Sequence, residues 1–189
     1  MSIPEFVSEL RAAVGPSHLL WLPGINAVVI NDEGQVLLQR RSEDSCWSIL
    51  SGIVEPGEHP VAAVYREVHE ETGVSVEVEK LTSITISPIR HHANGDVAQY
   101  LEMTFRCRCA VGSAAARVND DESEAINWFP PDTLPEMDDL IRARVRHAVS
   151  GSDEVMYTDS SGLPVQLAPA AHTATSAPNH AAAQGLSPR

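Results

Sequence analysis

The chain has 189 residues with 13 basic and 26 acidic side chains, a formal net charge of -13. A surface of that sign repels nucleic-acid polymers, which are bound mainly through basic residues that displace counterions. No apolar run approaches the ~20 residues needed to span a bilayer, so neither a nucleic acid nor a membrane is an expected partner.

The length and a hydrophobic content of 43% suit one domain with a proper core. The first 18 residues lack a basic start and a long apolar segment, so they do not read as a secretory signal, and the expected localisation is cytoplasmic. Cys46, Cys107 and Cys109 are odd in number and are read as reduced packing residues.

Residues 1–17 are read as an N-terminal amphipathic helix and lead-in. Phe6, Val7, Leu10 and Val14 recur at helical spacing until Gly15-Pro16 stops the pattern. Strands are predicted over 25–30 and 35–40, joined by an Asn31–Gly34 turn.

A helix follows over 59–72, with Val61, Val64 and Val68 on one face, Pro60 suited to its first turn and Gly73 to the position past its end. Strands over 74–89 and 97–109 flank an Asn94-Gly95 turn. In the second, Leu101, Met103 and Phe105 alternate with Tyr100, Glu102 and Thr104, so one face reads as apolar and the other as polar.

A short strand at 125–129, a break at Pro130-Pro131 and a helix over 136–149 close a domain spanning 18–150. Residues 151–189 are rich in Ala, Pro and Ser and are expected to form a disordered tail without catalytic residues.

On the 59–72 helix, Glu67, Glu70 and Glu71 stand at i, i+3 and i+4 and so share one face, where three like charges repel. An exposed Glu-rich face is one reading of this spacing, and a seat for hard cations that prefer oxygen ligands is the other.

The segment GIVEPGEHPVAAVYREVHEETGV, Gly52 to Val74, resembles the Nudix box, G-x5-E-x7-R-E-U-x-E-E-x-G-U, where U is a bulky aliphatic residue. Gly52, Glu58, Arg66, Glu67, Val68, Glu70, Glu71, Gly73 and Val74 meet every fixed position.

That resemblance implies an α/β fold, an α/β/α sandwich with a mixed sheet between helices. It also implies a Mg2+- or Mn2+-dependent hydrolase that cleaves the diphosphate of a small nucleoside diphosphate linked to a moiety X. By the same resemblance Glu67 and Glu71 are direct metal ligands, Glu70 is a third ligand or the base that takes a proton from water, and the Gly52 carbonyl is a further ligand. Glu122 or Glu124, from a later acidic loop, is an auxiliary base or ligand, with a solvated acidic loop as the competing reading.

The fold also houses non-catalytic nucleotide sensors and prenyl-diphosphate isomerases. The first commonly lose box glutamates, and the second usually bring a catalytic Cys; Cys46 lies near the box outside any matching motif. Many relatives are homodimers, for which the segment through Leu20-Trp21-Leu22 is a candidate interface.

The residues themselves suggest further roles. Arg66 points about 100° away from Glu67 on a helix, which suits it to hold Glu58 and shape the loop. Arg40 or Arg41 has the bidentate geometry to grip a substrate phosphate. Glu102, on the polar face of its strand, is a candidate substrate-binding residue, with solvent exposure or an ion pair as the competing readings.

Overall fold

The computed structural model describes residues 4–92 and 94–165. Helix α1 spans Glu5–Val14, α2 Pro60–Thr72 and α3 Asp139–Val149. The strands are β1 Leu20–Ile30, β2 Val36–Arg41, β3 Trp47–Ser48, β4 Leu50–Ile53, β5 Val76–Ile86, β6 Arg90–His91, β7 Val97–Cys109, β8 Ser123–Phe129 and β9 Met156–Thr158.

They form one mixed sheet in the order β3-β2-β1-β7-β5-β9, with β4 also on β1, β6 on β7 and β8 on β2. β1 runs parallel to β7 from Leu20 to Ile30 and antiparallel to β2 and β4. It therefore sits mid-sheet with both faces covered, which suits its near-continuous apolar run.

Alternate β1 residues feed two cores. Ile25, Ala27 and Val29 pack with Val64 and Val68 of α2, whereas Val28 and Ile30 pack with Val145 and Ala148 of α3. Since successive strand residues point to opposite faces, α2 and α3 cover opposite sides of the sheet, giving the expected α/β/α sandwich. A third cluster seats Val7 of α1 against Leu20, Leu22, Ile53 and Ala98.

Helix α2 has the ends its sequence implies. The His59 ring accepts from the Val61 amide at 3.1 Å, Pro60 opens the first turn, and Gly73 closes the helix at φ +70°. Asp138 caps α3 through the Leu140 and Ile141 amides, so this helix begins at 139, not at the expected 136.

One expectation needs correction. The chain does not lose structure at residue 151: β9 adds a parallel edge strand to β5, and the Lys80 ammonium donates to the Gly151 and Ser152 carbonyls. A three-residue edge strand needs few apolar side chains, so composition did not signal it. Residues 166–189 lie outside the described residues.

Of the readings open for Glu102, solvent exposure does not hold. Glu102 and Thr104 are buried because β7 lies between β1 and β5 and α3 covers that side.

Candidate active site

Glu71 is 4% exposed. Its Oε1 accepts from Gln39 Nε2 at 2.9 Å, while Oε2 is buried with no hydrogen-bond partner. Burial pushes this carboxyl well above the usual range against the opposing Gln39 hydrogen bond, and the negative charges of Glu67, Asp120 and Glu122 push it further. Glu67 is pushed up to about 7, again by burial first, against the opposing charge and hydrogen bond of Arg66.

Gly52 explains itself through Glu67. A methyl group at this position would stand 1.9 Å from Glu67 Cδ, so only glycine lets the β4 backbone and the α2 carboxylate meet.

Arg66 holds Glu58 with two hydrogen bonds, Nε to Oε1 and Nη2 to Oε2, both 2.9 Å. It also donates to the Ile53 carbonyl at 3.1 Å and to Glu67 Oε1 at 2.8 Å. One guanidinium thus fastens the box loop, the end of β4 and the acidic helix together. Glu58 in turn accepts from the Glu55 amide, which closes the loop.

Glu70 stands apart from its two neighbours. Its side chain is 57% exposed and reaches Arg66 Nη1 at 3.4 Å. Among the described residues, no three carboxylate, imidazole or thiol groups converge as a ready ligand set. The three-acid cluster read from helical spacing is a pair, Glu67 and Glu71, with a third acid outside it.

The later acidic loop divides as well. Glu122 and Glu71 line the same cavity of about 340 Å³, and Glu122 acts electrostatically on both Glu67 and Glu71. Glu124 does not join them; it pairs with Arg40 at 3.2 Å and accepts from Ser45 Oγ at 3.0 Å, on the surface. That ion pair also occupies Arg40, whereas Arg41 is bound to Asp44 and lines the cavity.

A second cavity, about 550 Å³, adjoins the first and shares Arg41, Ser51, Ile53 and Tyr100 with it. Gly52 and Asn26 line this second space, together with Glu102, whose Oε2 accepts from Arg144 Nη2 at 2.5 Å in a buried ion pair. Two of the readings for Glu102 hold at once: it lines the cleft and forms an ion bridge.

Gln39, Ser123, Asn26 and Arg144 were not singled out from sequence. The available signal was a polar residue inside an otherwise apolar strand, as in VLLQR and INAVVI.

The NUDIX domain model matches residues 21–149. A MutT-like protein of Streptomyces ambofaciens is 31% identical over 148 residues, 78% of this chain and 88% of that protein. An RNA pyrophosphohydrolase of Proteus mirabilis is 38% identical over 69 residues, which is 36% of this chain and 39% of that one.

Among solved structures, a NUDIX hydrolase from Nitrosomonas europaea superposes with a TM-score of 0.58 at 26% identity, covering 70% of this chain and 90% of that one. A UDP-X diphosphatase gives 0.58 at 20% identity, covering 83% and 75%, a likeness of fold. The chain belongs to the NUDIX family and is a hydrolase of that family.

Proposed function

We propose that this hydrolase cleaves the diphosphate linkage of a nucleoside diphosphate joined to a moiety X, with Mg2+ or Mn2+ as its cofactor. The observation that carries the reading is the buried Glu71 Oε2, a carboxylate oxygen without a hydrogen-bond partner, on the same helix as a half-buried acid, Glu67. A buried acid left half unpaired costs free energy unless a cation or a proton meets it. The donors are hard oxygens, as Mg2+ and Mn2+ prefer.

Glu71 and Glu67, with the Gly52 carbonyl, would hold the ion, and Glu70 is a peripheral ligand at most. When bound, the ion supplies positive charge to phosphate oxygens and makes water more acidic.

The remaining steps belong to the chain's own groups. Arg66 and Glu58 fix Glu67 and the box loop, so the acids need not reorganise during the reaction. Glu122, beside Glu71 in the cavity, accepts the proton as water attacks phosphorus, and the bridging P–O bond breaks to release two phosphate products. This role goes to Glu122 because it lines the cavity with Glu71, whereas Glu70 is solvated and Glu124 lies on the surface. Arg41, at the junction of the two cavities, takes a phosphate oxygen on exchanging its Asp44 partner. The larger cavity, with Asn26 and the Glu102–Arg144 pair, receives X or the base.

The test is to incubate the protein and Mg2+ with ADP-ribose, NADH, a UDP-sugar, diadenosine polyphosphates, GTP and 8-oxo-dGTP, and to follow the products by phosphorus NMR. The reading expects metal-dependent cleavage of at least one. Nucleotide binding without turnover on any of them would instead describe a sensor.

A further inference from the structure

We infer that Gln39 and Ser123 are positioning residues that hold the Glu71 carboxylate in the rotation that presents Oε2 to a divalent cation. The inference rests on the metal reading above and adds two uncharged residues outside the box.

The three residues come from β2, β8 and α2 and are all buried. Ser123 Oγ donates to Gln39 Oε1 at 2.7 Å. Gln39 Nε2 donates to Glu71 Oε1 at 2.9 Å and to the Ile49 carbonyl at 3.4 Å. The amide is thereby fully used: its two hydrogens meet two acceptors, and its oxygen meets a hydroxyl.

Its orientation is determined by chemistry. A backbone carbonyl can only accept, so the NH2 end must face Ile49 and, beside it, Glu71. Turning the amide over would set its oxygen against both of them. The Ser123 hydroxyl then completes the arrangement by donating to the oxygen left on the far side.

The backbone beneath is equally fixed. Gln39 pairs with Ser48 of β3 and with Ile126 of β8, so β2 is held on both edges at this residue.

The consequence lies in Glu71. With Oε1 engaged, its carboxylate cannot rotate without breaking a buried hydrogen bond, and Oε2 is the atom left over. A metal ligand gains from being held in place before the ion arrives, because less order is then lost on binding. A purely structural Gln39 would act on folding and leave the affinity of a folded protein for metal unchanged.

The test is Mn2+ binding to the full chain, read by electron paramagnetic resonance as loss of the free-ion signal, alongside thermal unfolding without metal. Gln39→Met keeps the volume and removes the hydrogen bonds; Ser123→Ala frees the amide oxygen, and Ser123→Thr restores a hydroxyl.

The expected result is Mn2+ affinity about tenfold weaker in Gln39→Met, the scale of one hydrogen bond to a charged group. A few-fold loss is expected in Ser123→Ala, with recovery in Ser123→Thr; metal-free unfolding temperatures fall in Gln39→Met and Ser123→Ala, which leave buried polar groups unpaired, and Mn2+ binding is read well below them. If Gln39→Met does not fold, the Ser123 pair decides.

Unaltered Mn2+ affinity in Gln39→Met and Ser123→Ala, with normal uptake by the natural chain, overturns this inference alone. Failure of the natural chain to take up Mn2+ removes the metal reading and this inference with it.

Discussion

The two faces of the sheet are made from alternate residues of the same strands, yet they handle polarity in opposite ways. On the α2 face, Ile25, Ala27, Val29 and Phe105 form an apolar core, and buried Glu71 and half-buried Glu67 sit on the helix above it. On the α3 face, Val28 and Ile30 give way within the strands to Asn26, Glu102, Thr104, Ser83 and Thr85, all buried. One side takes its acids from one helix, braced by Gln39 of β2 and Ser123 of β8; the other spreads buried polar groups across three strands.

Several groups on the α3 side, Asn26 Nδ2, Ser83 Oγ, Thr85 Oγ1 and Thr104 Oγ1, have no protein partner. Buried polar groups are nearly always hydrogen-bonded. We therefore read the α2 side as the place of chemistry and the part of the α3 side lined by Asn26 and Glu102 as the place of recognition.

The strongest way to break that division is on the α2 side. Glu71→Gln removes charge with little change of volume and is expected to lower the rate of diphosphate cleavage by roughly a thousandfold or more, with the fold intact by circular dichroism. A rate within a few-fold of normal would contradict the assignment.

Next comes Glu102→Gln on the α3 side. It leaves Arg144 buried without its counter-charge, so a destabilisation of about 3 kcal/mol is expected in denaturant unfolding. In the folded fraction KM should rise by about tenfold with kcat far less affected, as for loss of uniform binding. A fall in kcat with KM unchanged would erase the distinction between the faces.

Much of the α2 side was legible because its information is local. The box places its acids, its arginine and its closing glycine within one loop and one helix, and the structure bonds Arg66 to Glu58 as its direction on the helix suggested. Helical spacing alone overstated the cluster. Glu70 and Glu71 differ by about 100° around the axis, and the buried stripe of α2 runs through Ala63, Val64, Val68 and Glu71, which leaves Glu70 outside.

Contacts between distant segments, on either side, were illegible for the opposite reason. Glu102 meets Arg144 and Gln39 meets Ser123 only through sheet register and helix docking, across 42 and 84 residues of sequence. Alternation along 97–109 correctly separated two sets of side chains but could not reveal that a helix would cover the polar one.

A smaller effect concerns pH. Glu67 rises from an ordinary value near 4.5 to about 7 in the folded chain, and Glu71 moves in the same direction. The folded state then binds protons more tightly than the unfolded state, so metal-free stability should be greatest below about pH 4.5 with respect to these groups. It should fall as pH rises toward 7, by on the order of 2 kcal/mol. Saturating Mg2+ should recover stability at pH 7.5. Denaturant unfolding at pH 5 and 7.5, with and without Mg2+, checks the sign; a metal-free protein more stable at pH 7.5 in this comparison would contradict it.

The smallest effect is expected at the Arg40–Glu124 pair, which belongs to neither side. Exposed ion pairs are worth little, so Arg40→Ala and Glu124→Gln should each change stability by less than about 1 kcal/mol and cleavage by no more than about twofold. A large loss of rate in Glu124→Gln would bring that acid back into the site.

Crystals soaked in Mn2+ and measured at the manganese absorption edge would locate the ion itself. An anomalous peak coordinated by Glu71 Oε2, with Glu67 and the Gly52 carbonyl beside it, is expected. A peak held by Glu70 and solvent alone, or none near α2 in the presence of a diphosphate ligand, would contradict the metal reading.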